Sequence, residues 1–328
     1  MPDATLIAIP LLILGFALLI FGGDLLVAGA SALAKRFGMS ELVVGLTVVA
    51  FGTSMPELVV SVTASATGEN AISIGNVVGS NICNIALILG VSALIRPVFA
   101  AKGTVWKEIP FLLVACLVFT IMANDTLFGD GKEFPMLSRG DGLVLLVFFG
   151  FFLYYIVQVI RSGPAEPSQP ETSSPRSRLI PSLLRIGIGL VLLMVGGQLV
   201  VSSAVDIAAA IGMSERVIGL TVVAIGTSLP ELAASAMAAY RKQADIALGN
   251  IVGSNIFNTL LILGVSATVA PIPFPEGSNL DVAVMMAVTT ALLIVCFAGR
   301  VRYQIQRIEG AALITTYAAY IGWIVFRG

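Results

Sequence analysis

An all-α membrane protein of ten transmembrane helices, built as two inverted five-helix repeats, is predicted by three features of the sequence. The 328 residues are 57% apolar and only 11% charged, with no histidine, a balance that suits a bilayer better than water. Ten apolar stretches are long enough to cross a hydrocarbon core. A 53-residue segment also occurs twice: Gly38 to Gly90 aligns without a gap on Gly212 to Gly264 at a constant offset of 174, with 32 of 53 positions identical.

The spans fall at about 5–34, 41–67, 72–95, 105–123 and 141–161, then at 179–209, 215–240, 245–269, 280–298 and 307–326. The first begins after Asp3 rather than a basic cluster and shows no cleavage site before Lys35 and Arg36, so it reads as a spanning helix and not as a removable leader. Residues 162–178 are rich in Pro and Ser and cannot bury a core, which makes them a flexible cytoplasmic linker between a 1–161 half and a 179–328 half. Five spans separate the two copies, and an odd number places them upside down relative to each other in the bilayer. Cys83, Cys116 and Cys296 lie in apolar runs and are odd in number, which argues against a disulfide framework.

Cytoplasmic loops retain Lys and Arg. With the N-terminus outside, fourteen of the eighteen basic residues, among them Lys102, Lys107, Arg176, Arg178, Arg300 and Arg302, lie on the cytoplasmic side, leaving Lys132, Arg139, Arg216 and Arg327 opposite. Both termini are therefore expected outside, and the short loops suit a prokaryotic inner membrane. A net charge of −1 gives no reason to expect nucleic acid as a partner, and nothing in the sequence points to a protein partner or a cofactor.

In each copy a proline interrupts a span just before a glutamate, in Gly52-Thr53-Ser54-Met55-Pro56-Glu57 and Gly226-Thr227-Ser228-Leu229-Pro230-Glu231. Proline has no amide hydrogen, so the carbonyls of Gly52 and Gly226 lose their helical donors at mid-membrane depth, where free carbonyls call for cations or water. Ala50 and Thr53 precede Glu57 by seven and four residues, as Ala224 and Thr227 precede Glu231, so all can face one cavity. The following helices carry Asn76, Ser80 and Asn84, or Asn250, Ser254 and Asn258, at four-residue steps. Two carboxylates among neutral oxygens, without nitrogen or sulfur ligands, make a hard-cation site suited to calcium and not to zinc or copper. The pair is balanced by one divalent ion or by two or more monovalent ones, and competition between them couples their movements.

Gly75 and Gly79, like Gly249 and Gly253, read as close-packing positions, and Asn81 and Asn255 as polar glue between helices. Asp24, with Gln198 as its counterpart, reads either as lining an ion path or as capping a bend.

The paired GTS-x-PE and GN-x-VGSN-I-x-N segments resemble the alpha repeats of the sodium/calcium exchangers, within the calcium:cation antiporter superfamily. The resemblance implies that Thr53, Glu57, Thr227 and Glu231 hold calcium with the carbonyls of Ala50 and Ala224 nearby, and that Ser54, Ser80, Asn84, Ser228, Ser254 and Asn258 help to form flanking sodium sites. It implies antiport of calcium against sodium by alternating access, the first and sixth spans sliding across an eight-helix core. Asn258 stands where the potassium-dependent branch carries aspartate, which counts against potassium dependence. A calcium/proton antiporter is the alternative. No Walker A loop, H-E-x-x-H or G-x-S-x-G occurs, so the chain is not expected to be an enzyme, and a passive channel would favour a ring of identical subunits over an inverted pair of acidic sites.

Overall fold

The computed structural model describes residues 2–124, 135–162, 179–213, 218, 224–274 and 277–327. The linker from 163 onward, Lys132, Arg176, Arg178 and Arg216 lie outside the described residues, as does most of the N-terminal part of the span expected at 215–240.

The chain is helical almost throughout, because a backbone in hydrocarbon must satisfy its own polar groups. In order, the helices are α1 (Pro2–Phe37), α2 (Glu41–Thr53), α3 (Met55–Thr67), α4 (Asn70–Ile82), α5 (Leu89–Ile95), α6 (Lys102–Trp106), α7 (Glu108–Ala123) and α8 (Arg139–Ser162). There follow α9 (Leu179–Ala210), α10 (Ala224–Gly226), α11 (Leu229–Tyr240), α12 (Ala244–Ile256), α13 (Leu263–Val269), α14 (Ser278–Ala298) and α15 (Arg307–Arg327). A π-helical turn, Cys83–Ile88, joins α4 to α5, and another, Phe257–Ile262, joins α12 to α13. Among the described residues eight continuous helices are long and apolar enough to cross a membrane, and α2 with α3, bent by 48° at their break, makes a ninth where the pair counts as one span. Of the span expected at 215–240, the described part is residue 218 and residues 224–240, which include α10 and α11.

Four two-residue strands depart from the all-helical expectation. Strand β1 (Val98–Phe99) pairs antiparallel with β4 (Gln304–Ile305), and β2 (Met136–Leu137) pairs with β3 (Ile272–Pro273). Each ribbon ties the segment after α5 or α13 in one half to the segment leading into the last helix of the other. Ser162, assigned to the linker by composition, is the last residue of α8.

The helices that carry the repeat lie innermost. Of the apolar window of Ala244–Val269, 94% is buried, and of that of Ile72–Ile95, 72%, against 17% for Arg139–Ser162 and Arg307–Phe326. The outer helices turn Phe151, Tyr154, Ile188 and Ile308 outward, as a lipid-facing surface requires. Buried apolar side chains fall into two clusters: one runs through the bundle, and the other gathers Leu19, Leu26, Val27, Ile186, Leu193 and Val200 of α1 and α9 with the faces they touch.

α1 and α9 cross through glycines whose backbones touch. A Cβ on Gly189 would stand 2.7 Å from the Leu26 amide nitrogen and 2.8 Å from the Gly22 carbonyl oxygen, and one on Gly22 would stand 2.9 Å from the Gly189 carbonyl oxygen. Gly249 and Gly253 likewise let α12 reach the backbone of α2 at Leu42 and Leu46, whereas a Cβ on Gly75 or Gly79 would meet no described atom within 4 Å.

Gly189→Ala is expected to lower thermal stability in detergent by about 1–3 kcal/mol through overpacking against backbone. Gly187→Ala, where a Cβ would meet nothing within 4 Å, should stay within about 0.5 kcal/mol of the parent. Equal melting temperatures for the two variants would show that α1 and α9 do not make this contact.

Candidate cation-binding site

The site begins at two matched breaks. Ser54 leaves the helical region between α2 and α3 with φ −84 and ψ 7, and Ser228 does so before α11 with φ −87 and ψ 6. Each proline falls in the first turn of the new helix, where its missing N–H costs nothing. The ladder restarts with the Leu58 amide donating to the Ser54 carbonyl (3.1 Å) and the Leu232 amide to the Ser228 carbonyl (3.0 Å). Glu57 and Glu231 therefore occupy the first turns of α3 and α11, at the positive ends of helix dipoles.

Both glutamates are 1% exposed, and each has one oxygen engaged and one left over. The Ser54 hydroxyl donates to Glu231 Oε1 at 3.0 Å, and the Ser80 hydroxyl approaches Glu57 Oε1 at 3.5 Å. Oε2 of each has no partner among the described residues.

The next helices brace these breaks. Asn76 Nδ2 donates to the Glu57 carbonyl (3.3 Å) and the Ser61 hydroxyl (2.9 Å), while its Oδ1 accepts from Thr227 (3.4 Å). Asn250 repeats the pattern with the Glu231 carbonyl (3.5 Å), Ser235 (2.9 Å) and Thr53 (3.1 Å). The Ser228 hydroxyl donates to Ser80 at 3.3 Å, and Ser54's own amide bonds the Ala50 carbonyl at 3.0 Å. Ala224 opens α10.

Two further candidates sit inside the π-helical turns, Asn84 in one and Asn258 in the other, and such turns are frequent at functional positions. Asn84 Nδ2 donates to Asn255 Oδ1 (2.8 Å), and Asn258 Nδ2 to Asn81 Oδ1 (3.1 Å). Asn81 also donates to Thr259 (2.8 Å) and Asn255 to the Asn81 carbonyl (3.2 Å), as polar glue does. The Oδ1 atoms of Asn84 and Asn258 and the Ser254 hydroxyl have no partner among the described residues.

Thr53, Ser54, Glu57, Ser80, Thr227, Ser228 and Glu231 are thus drawn into one polar centre, with Asn84, Ser254 and Asn258 presenting unpartnered oxygens along the two inner helices. Ser61 and Ser235, both fully buried, went unnoticed in the sequence, although each follows its glutamate by four residues at the repeat offset. Asp24 is half-exposed and forms an ion pair with Arg241, Nε to Oδ1 at 2.6 Å, away from this centre. All three cysteines are free and buried. Among the described residues no three side chains of His, Cys, Asp or Glu converge on a point, so the anionic charge of the centre is two carboxylates and the remaining donors are neutral oxygens. A narrow crevice between Phe51, Met55, Leu58 and Phe257, with no room for a water molecule, reaches Ser54.

Contacts between the two halves are reciprocal under the offset of 174. Thr53–Asn250 maps onto Thr227–Asn76, Asn84–Asn255 onto Asn258–Asn81, and Gly15–Gly196 onto Gly189–Gly22. Reciprocal contacts of this kind are the mark of a two-fold relation.

The sodium/calcium exchanger protein family matches residues 7–158 and 181–326. Sodium/calcium exchanger MaX1 of Methanosarcina acetivorans is 33% identical, the match covering 95% of this chain and 96% of the relative. Inner membrane protein YrbG of Escherichia coli K12 is 36% identical over 97% and 96%. A solved structure of the sodium-calcium exchanger NCX_Mj, soaked with sodium, superposes with a TM-score of 0.81 at 34% identity, covering 97% of this chain and 99% of that one. With nearly its whole length matched, this transmembrane antiporter chain belongs to the sodium/calcium exchanger protein family.

Proposed function

We propose that the chain exchanges calcium for sodium across the membrane by alternating access. The observation that carries this reading is the pair of buried glutamates, each with one oxygen unpartnered. A bare carboxylate in a low-dielectric interior is costly, and a cation between Glu57 and Glu231 offsets that cost. Calcium coordinates 6 to 8 oxygens, which the two carboxylates, Thr53, Thr227 and the carbonyls of Ala50 and Ala224 supply. Ser54, Ser80, Asn84, Ser228, Ser254 and Asn258 would complete flanking sodium sites, and two or more sodium ions replace the charge of one calcium ion.

In this reading the molecule comprises two inverted five-helix halves, 1–161 and 179–328, joined by the cytoplasmic linker, with ten spans and both termini outside an inner membrane. The reciprocal contacts support the two-fold relation, and the excess of Lys and Arg in the 95–107 and 298–307 loops supports the orientation. Separate apolar clusters and a glycine-lined crossing of α1 and α9 suit a pair of helices that shifts against a fixed bundle.

At an effective dielectric of about 20, one unit charge 4 Å from another is worth about 4 kcal/mol, so Glu57→Gln and Glu231→Gln are each expected to slow exchange at least about a hundredfold. Both variants should elute from a sizing column as the parent does. Parental rates in both would remove the carboxylates from the site.

Uptake of radioactive calcium into proteoliposomes loaded with sodium should depend on the internal sodium and persist when the pH gradient is collapsed. Uptake driven by a proton gradient alone would reassign the chain to calcium/proton exchange.

A further inference from the structure

Away from the carboxylates, a cavity of about 620 Å³ opens between α6 and the segment that links α14 to α15. Its lining is Lys102, Gly103, Trp106, Lys107, Arg302 and Tyr303. Three cations and two aromatic rings therefore surround it, and no acid does. None of the three cations forms an ion pair among the described residues. The acids of the flanking helices each bond a neutral group and do not pair with these cations among the described residues: Glu108 Oε1 accepts from the Tyr155 hydroxyl and Glu309 Oε1 accepts the Arg300 amide at 3.3 Å, while Oε2 of each has no partner.

The cavity sits where spans end. α5 stops at Ile95, the next apolar stretch opens at Lys102, α14 stops at Ala298 and α15 starts at Arg307, and ends of spans are where lipid headgroups meet a membrane protein. Trp106 is 57% exposed and its ring packs edge-on against Phe297 at 4.9 Å, the posture of an interfacial tryptophan. Phe99 and Val301 are also exposed beside it.

One wall is held in a left-handed backbone. Tyr303 has φ 61, a conformation that costs a non-glycine residue energy, and two hydrogen bonds fix it there: its amide donates to the Cys296 carbonyl and its carbonyl accepts the Ala100 amide, both at 2.8 Å. Arg302 then lies 5.4 Å over the Tyr303 ring. On the other wall Lys102 and Lys107 flank the short helix α6, with Val98–Phe99 and Gln304–Ile305 paired alongside.

We propose that this cavity binds the phosphate headgroup of an anionic phospholipid, with Lys102, Lys107 and Arg302 on the phosphate and Trp106 and Phe99 against the upper acyl chains. An exposed apolar rim beside unpaired cations fits an amphiphile better than a free anion. The bound lipid joins α6, from the first half of the chain, to the 300–304 segment of the second, reinforcing the β1–β4 ribbon. The site does not depend on which cations are exchanged.

The test is native mass spectrometry of the delipidated full chain with dioleoyl phosphatidylglycerol or dioleoyl phosphatidylcholine, each titrated with and without inorganic phosphate. Phosphatidylglycerol is expected to bind about a hundredfold more tightly than phosphatidylcholine, with each of Lys102→Gln, Lys107→Gln and Arg302→Gln costing about fivefold. All three side chains are exposed, so none of the single variants removes a buried contact and a loss of binding does not reflect misfolding. Equal binding of the two lipids, or undiminished phosphatidylglycerol binding in all three variants, would overturn the proposal. So would displacement of the lipid by millimolar inorganic phosphate, which would mark a free-anion site.

Discussion

Glu57 and Glu231 are withdrawn from solvent at the centre of the bundle, and the cost of keeping two carboxylates there shapes everything around them. Each is placed in the first turn of a new helix, where backbone amides and the helix dipole favour negative charge. Each helix start exists because a proline resets the ladder one residue earlier. The asparagines Asn76 and Asn250 then hold the glutamate carbonyls and the neighbouring hydroxyls, so that the broken backbone is braced by side chains rather than by water. The close approach of α12 to α2 through Gly249 and Gly253 makes that bracing possible across the halves. Among the site residues, what remains unpartnered is one oxygen each of Glu57, Glu231, Asn84 and Asn258 and the Ser254 hydroxyl, groups that a hard cation satisfies.

No half of the molecule builds its own centre. Thr53, from the first copy, is held by Asn250 from the second, and Thr227 by Asn76. Ser54 reaches across to Glu231, and the asparagine belt of Asn81, Asn84, Asn255 and Asn258 runs between the two inner helices. Most of these bonds are buried, so they specify register as well as add stability. The symmetry is incomplete: Ser54 bonds Glu231 directly, whereas Ser228 bonds Ser80 instead of Glu57, and Ser254 is left unpartnered where Ser80 is engaged.

Much of this was legible in the sequence because it rests on period, composition and repetition. Span lengths follow from apolar runs, the breaks at Ser54 and Ser228 follow from Pro56 and Pro230, and Asn81 and Asn255 bond as glue residues do. Other features carry no local signature. The π-helical turns at 83–88 and 257–262 differ from α-helix in hydrogen-bond step, not in composition. Strands β1 and β4 are two residues each and pair across more than half the chain. Ser61 and Ser235 look like any small residue in a packed helix until Asn76 and Asn250 are seen to need an acceptor. Asp24 could be assigned a partner only once the fold brought Arg241 to it.

The reciprocity of the contacts bears on thermodynamics. Under the proposed exchange, a carrier whose halves trade places under a two-fold operation offers almost the same ligands to either compartment, so its two end states differ little in intrinsic free energy. Such a machine has no preferred stroke: net flux reverses whenever the electrochemical gradients do, and the protein governs only how fast balance is approached. Any difference in free energy between the two end states must come from positions at which the two copies disagree, such as Asp24, whose counterpart Gln198 carries no charge for a basic partner.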